Sequence, residues 1–322
     1  MNVHQLATAD LGTIERLVEA YAFKSYRHYR VLPRKAQNAV MMAEIEATLN
    51  HADGLVLHTT EQGKPAVAVA RHLAWDSSFF GIPMGRIEYV LAPGSSASST
   101  TQALIATTCR ELRARGVRHV SARADVEDVA LVAALESQGF RLVDALVTYT
   151  TRPGKEPPNE VRQVGTIRDF RADDGPELVR IAAEAYRGFR GRFHLDPHIP
   201  DERCDAFYTE WARQCVAGTM ADTVLVSEGS QGQLLGFLAF RRREPVSSVG
   251  GVPVFGGGLG ACRSDTPGAY AGLIRAGTLW AHERRGVAEC QTQNYNFPTI
   301  RIYEAVGAHY VRAEYTLHAW LG

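Results

Sequence analysis

The chain repeats itself, and this constrains its fold more than any other feature. Residues 102–115 place Leu104, Ile105, Thr108 and Leu112 on one helical stripe. Gly116-Val117, a strand-like segment over 119–124, a helix over 129–137, Gly139-Phe140 and a strand over 141–150 follow. Residues 268–283 place Tyr270, Leu273, Ile274, Gly277 and Trp280 at helical spacing. Gly286-Val287, a strand over 288–293, a helix over 298–305, Gly307-Ala308 and a strand over 310–320 follow in the same order. The matched glycines argue for a duplicated unit rather than chance alternation. The expected fold class is α/β, with a mixed central sheet flanked by helices in each half.

The two halves also open alike. Residues 11–22 and 175–186 carry apolar side chains three and four apart, which predicts a helix in each. Strands are expected over 54–59, 65–72, 223–228 and 234–241, with GSQGQ at 229–233 as a hairpin turn. Between the halves, residues 151–165 (TRPGKEPPNEVRQVG) hold Pro153, Pro157 and Pro158 among charges, the composition of a linker. The domains are therefore expected at 1–151 and 166–322, joined by 152–165.

Charge narrows the function. Lys plus Arg and Asp plus Glu both count 35, for a formal net charge of +0. No broad basic field exists to hold nucleic acid. The tract Lys24–Lys35 mixes tyrosine with basic residues; it is either a solvated helix end or a weak phosphate patch. No run reaches the roughly 20 apolar residues of a membrane span, and the first residues carry no secretory pattern. Five widely spaced cysteines without a CxxC pair fit buried free thiols and a cytoplasmic location, and argue against structural zinc.

The chemistry concentrates in residues 254–303. A glycine-rich strand, VFGGGLGAC, leads through RSDTPGAYAGLI into a helix. The loop at Gly268 presents main-chain N–H groups and a helix dipole to an anion such as pyrophosphate. Asn296 before Pro298 looks like an N-cap, and Tyr303 falls one turn before Gly307. Alone, that stretch is a capped helix with a core tyrosine. Together with the loop it resembles the GNAT superfamily of N-acetyltransferases, whose corresponding helix reads Asn-x-x-Ala-Ile-x-Leu-Tyr-x-x-x-Gly-Phe. The resemblance implies a tandem GNAT-like fold, complete only in the C-terminal half, with acetyl-CoA as co-substrate and no metal. It implies Tyr303 as the acid that protonates the departing thiolate. It further implies a donor site of Leu259, Gly260, Ala261, Thr266, Gly268, Ala269, Tyr270, Ala271 and Asn296. The family's loop prefers Gln or Arg, two residues, Gly, one residue, then Gly or Ala; this chain has Asp265 and Tyr270 at the outer positions.

A narrower resemblance is to the TDP-fucosamine acetyltransferases. It rests on WDSSFFG at 75–81 with Gly85-Arg86-Ile87, on RFHLDP at 192–197 with Tyr208 and Trp211, on Thr292-Gln293, and on His318-Ala319-Trp320. It implies a nucleotide-linked amino-deoxysugar as acceptor, met by Arg192, His194, Asp196, Tyr208 and Gln293. Counting back from Gly139 as from Gly307 puts Leu135 at the place of Tyr303 and Asp128 at that of Asn296. The N-terminal half then shapes the cleft without doing chemistry. The base stays open among His194, Asp196, Glu289, His318 and a water chain. The expected partner is a small-molecule acceptor, with neither nucleic acid nor membrane, and assembly as a homodimer is compatible. Rival readings are another small amine or a protein N-terminus as acceptor, or a non-catalytic CoA- or sugar-nucleotide-binding module. An HxD iron site from His194, Asp196 and His318 is a further alternative, opposed by the α/β pattern.

Overall fold

The structure, a computed structural model, describes residues 3–5, 11–61, 64–92, 99–151 and 158–322. It divides into two units, one formed by Met1–Ala145 with Ala313–Gly322, the other by Leu146–Arg312. The elements in chain order begin with β1 (Val3–Gln5), α1 (Leu11–Ala20), α2 (Arg34–Leu49), β2 (Gly54–Glu61), β3 (Lys64–His72) and α3 (Ala74–Phe80). Next come β4 (Met84–Leu91), α4 (Ser99–Ala114), β5 (His119–Asp125), α5 (Val129–Ser137), β6 (Arg141–Thr151) and β7 (Thr166–Asp169). Then follow α6 (Gly175–Ala185), α7 (Asp201–Val216), β8 (Thr223–Glu228), β9 (Leu234–Arg242) and α8 (Val246–Val249). The chain closes with β10 (Val254–Cys262), α9 (Ala269–Glu283), β11 (Val287–Gln293), α10 (Phe297–Ala305) and β12 (His309–Trp320). No helix among the described residues is long and apolar enough to cross a membrane.

In the first unit the strands run β1-β2-β3-β4-β5-β12. Side chains alternate across that sheet. Leu55 and Leu57 join Leu104, Ile105 and Leu135 on one face, while Val56, Val67 and Val69 join Ile14, Met41 and Ile45 on the other. Both faces are covered, which is why β2 and β3 read as nearly continuous apolar runs. Each such Leu or Ile contributes roughly 1.5–3 kcal/mol by leaving water. The second unit orders its strands β6-β11-β10-β9-β8-β7. There β9 is buried from Leu234 to Phe240, and Trp280 of α9 stacks on Phe240 at 6.0 Å.

The boundary differs from the linker expected in the sequence. β6 closes the first repeat, yet its residues 146–151 pair antiparallel with β11 in the second unit. β12 closes the second repeat, yet it pairs antiparallel with β5 in the first. The repeats exchange their last strands, so each unit is completed by the other half of the chain. Residues 152–157 lie outside the described residues. The remainder of that segment is anchored: Asn159 donates to the Ala305 carbonyl at 3.1 Å, Ser227 donates to the Val164 carbonyl at 2.7 Å, and Glu160 pairs with Arg275.

Two of the matched glycines have the expected cause. Gly139 (φ 82°) and Gly307 (φ 91°) sit in the left-handed region just past their helices, where a side chain is strained. The helices α2, α3 and α7 are not among the expected elements, although the buried Cys204, Phe207, Tyr208, Ala212 and Cys215 of α7 fall at helical spacing. The basic tract at 24–35 is partly committed, while His28, Arg30, Arg34 and Lys35 are exposed. Lys24 is buried and donates to the Tyr21 carbonyl, and Arg27 holds Asp125 at 3.0 Å and Glu127 at 2.6 Å.

Candidate functional site

The site starts where two parallel strands part. β10 pairs with β11 only over Val254–Gly256 against Val287–Glu289. Beyond that the ladder ends, although β10 runs on to Cys262 and β11 to Gln293. On its other side β10 follows β9 through a register shift between Gly257 and Gly260. A bulge bends its strand and twists it further, here away from β11. Glycines in that stretch leave the opened edge as bare main chain.

Three tyrosines reach this gap. Tyr186, at the C-terminal end of α6, donates its hydroxyl to the Gly260 carbonyl at 2.8 Å. Tyr270, in the first turn of α9, lays its ring against Gly260. A Cβ built there would stand 2.9 Å from a ring carbon and 3.2 Å from the hydroxyl oxygen. Tyr303, on α10, is 3% exposed and donates to the Gln291 carbonyl at 3.2 Å. Its hydroxyl also hydrogen-bonds that of Tyr270. Burial, then the neighbouring Tyr270 and Cys290, pushes the Tyr303 hydroxyl well above its ordinary value. Tyr270 and Tyr186 are raised too, again mainly by burial. At neutral pH all three are protonated donors.

The loop before α9 has its own logic. Gly268 caps the helix with φ 96°, a conformation that disfavours any side chain, and faces Val164. Thr266 turns its hydroxyl inward to the Arg263 carbonyl at 2.9 Å, and its own carbonyl accepts from Ala269 N–H at 3.2 Å. Two groups expected to face an anion, the Thr266 hydroxyl and the Ala269 N–H, are thus committed within the loop. The N–H groups of Tyr270 and Ala271 fall in the first turn, which has no intrahelical acceptors. Asp265 is bound by Arg263 at 3.0 and 2.9 Å, and that guanidinium holds its carboxyl below the usual range. The acid at this loop is therefore charge-matched.

Beside the gap stands an aromatic wall from α6, α7 and the loop between them. Tyr208 stacks on Tyr186 with centroids 4.3 Å apart and planes within 4°. Phe189, His194 and Trp211 surround Tyr208.

The chain matches no family model and no curated protein by sequence. Its fold has close company among solved structures. A GCN5-related N-acetyltransferase from Sphaerobacter thermophilus superposes with a TM-score of 0.65 at 14% identity, covering 99% of this chain and 95% of that one. A tandem GNAT protein from the clavulanic acid biosynthesis pathway gives 0.57 at 15% identity, covering 100% and 98%. The glucosamine N-acetyltransferase region of a fungal multi-domain β-N-acetylglucosaminidase gives 0.63 at 12%, covering 99% of this chain and 38% of that chain. The fold is a tandem GNAT fold. At these identities the likeness extends to the fold alone.

Within that GNAT fold, Gly260, Tyr270 and Tyr303 meet at the gap, with Leu259 and Ala261 beside Gly260 on β10. Gly268 and Ala271 lie at the head of α9. Asn296 occupies the N-cap position of α10, but its side chain makes no capping bond and instead donates to Thr292 Oγ1 at 2.9 Å. Tyr208 is tied to the gap through Tyr186. Of the other acceptor-side residues, Arg192 lies over the Phe193 ring at 4.3 Å, His194 Nε2 meets Asp205 at 3.0 Å, and Asp196 accepts from the His198 N–H at 3.1 Å. His194 and Asp196 thus turn to different partners. Gln293 ends β11, and its carbonyl accepts from Asn296 N–H at 3.0 Å. Of the base candidates, Glu289 is buried with Arg243 Nε at 3.4 Å.

Tyr186 carried no signal in the sequence, since it ends an amphipathic helix like any core aromatic. In the first unit the ladder between β4 and β5 also stops early, at Ile87 and Ala122. There Leu135 is fully buried in the core, and Asp128 does cap its helix, accepting from Leu131 N–H at 3.1 Å. Part of the loop before α4 (residues 93–98) lies outside the described residues.

Proposed function

We propose that the chain is an acetyl-CoA-dependent N-acetyltransferase whose chemistry belongs to the unit Leu146–Arg312. The observation that carries this reading is the buried Tyr303 hydroxyl beside the point where β10 leaves β11. A thiol ester laid along the free edge of β10 would meet main-chain N–H groups near Leu259–Ala261, suited to the oxyanion formed when an amine attacks. The departing CoA thiolate, with a parent thiol pKa of about 8.5 by analogy with cysteine, takes a proton from Tyr303. Tyr270 and Ala271 N–H groups at the head of α9 would receive the diphosphate. Most of the rate then comes from holding amine and thioester together.

For the acceptor we infer an amino sugar, carried on a nucleotide. RFHLDP with Tyr208 and Trp211 supports this, and the glucosamine N-acetyltransferase region among the structural neighbours supports the sugar amine. The WDSSFFG segment supports it less, because it packs within the first unit as α3: Trp75 stacks on Phe79 at 6.0 Å and Phe80 is buried. The experiment is thiol release and intact-mass detection of product with acetyl-CoA and TDP-linked, UDP-linked and free amino sugars, plus simple polyamines. Equal turnover of free and nucleotide-linked sugars would remove the nucleotide and leave the acetyltransferase. No thiol release with any amine would remove the acetyltransferase itself.

A further inference from the structure

Tyr270 lies where a donor would have to lie. An arm leading from a diphosphate at the head of α9 to Tyr303 must pass along the free edge of β10, beside Gly260. The Tyr270 ring rests on Gly260, and its hydroxyl is bonded to Tyr303, the group that must reach the thioester sulfur. Tyr186 holds the Gly260 carbonyl at the same point. Leu238 closes that face of Gly260 from β9, since its Cδ1 would stand 2.7 Å from an added Cβ. Gly260 is therefore covered by the Tyr270 ring from the α9 side. That side chain is attached to the first turn of the helix.

We propose that Tyr270 is a stopper that the acyl donor displaces, its hydroxyl holding on Tyr303 the position later taken by the sulfur. This rests on the acetyltransferase reading above. The free protein is then closed, and the donor's measured affinity is its affinity for the open form multiplied by the fraction open. Removing the ring removes that penalty. Removing only the hydroxyl loosens the ring's tie to Tyr303 and lifts part of it.

The test is calorimetry of acetyl-CoA with the full-length wild type, Tyr270→Ala and Tyr270→Phe, each first shown to unfold cooperatively on heating. If the closed form outnumbers the open by about ten to one, Tyr270→Ala binds about 10-fold more tightly. Tyr270→Phe gains roughly two- to tenfold, the usual worth of one hydrogen bond. A folded Tyr270→Ala that binds as the wild type does, or more weakly, overturns the stopper and leaves the acetyltransferase standing. If Tyr270→Ala does not fold, Tyr270→Phe decides by the same criterion. Absence of binding by wild type and both variants up to about 1 mM, the upper end of ordinary Michaelis constants, overturns both readings together.

Discussion

Removing the Tyr303 hydroxyl separates a chemical role from a structural one. Tyr303→Phe keeps a buried ring, which packs 5.7 Å from Tyr149 in the same unit. It loses a 3.2 Å bond to the Gln291 carbonyl and the bond to Tyr270. A neutral hydrogen bond is worth about 0.5–1.5 kcal/mol net, so stability should fall by one such increment or two. A change of 1 kcal/mol moves the melting midpoint of a domain this size by about 2–4 °C. A missing general acid costs about 10²–10⁴ in kcat, equivalent to about 3–5 kcal/mol of barrier. The catalytic loss should therefore exceed the stability loss severalfold. The pH profile adds a second check. Because burial raises the Tyr303 hydroxyl above its usual value of about 10, wild-type kcat should show no alkaline decline from this group below that pH. The assay is single-turnover thiol release, which isolates chemistry from product departure, beside thermal unfolding. Unchanged single-turnover rates in a folded Tyr303→Phe would refute the assignment.

Three further outcomes are expected. Gly268→Asp should weaken acetyl-CoA binding far more than Gly268→Ala: both strain the φ of 96°, but only the carboxylate repels a diphosphate, and equal losses by calorimetry would point to misfolding. Gly277→Ala should destabilise by about 1–3 kcal/mol in urea unfolding despite better helix propensity, because its Cβ would fall 1.8 Å from Phe240 Cζ; unchanged stability would show that the ring yields freely. Asp174 accepts from Arg168 at 2.7 and 3.0 Å, which holds its carboxyl below the usual range. A depressed carboxyl stabilises the fold above its unfolded pKa of about 3.9 and loses that contribution as pH falls through the lower folded value. The stability gap between wild type and Asp174→Asn should thus be full above about pH 4 and shrink below it; a gap independent of pH would contradict the pairing.

What sequence alone determined about this chain is its local grammar and its duplication. The helix at 129–137 is legible to its ends because apolar residues and a glycine at 139 act within one or two turns, and the helix ending before Gly307 is legible to within one residue. The cysteines follow from composition: all five are free, and burial raises the thiols of Cys204, Cys215, Cys262 and Cys290 to about 12 and of Cys109 to about 11. Tyr303 and the glycine-rich strand stood out through motif spacing, which is again local. Only the tertiary structure decided where the last strand of each repeat pairs, since β6 and β12 both carry a continuously buried run near their ends and either could fill either sheet edge. Only it showed that Arg27 is matched by Asp125, 98 residues away. Only it brought Tyr186 and Tyr270 to Gly260. Those contacts join the end of one helix, the start of another and the bulge of a strand, and no periodicity encodes a meeting of three elements. Periodicity says which face of an element is buried; the packing of whole elements decides what that face meets.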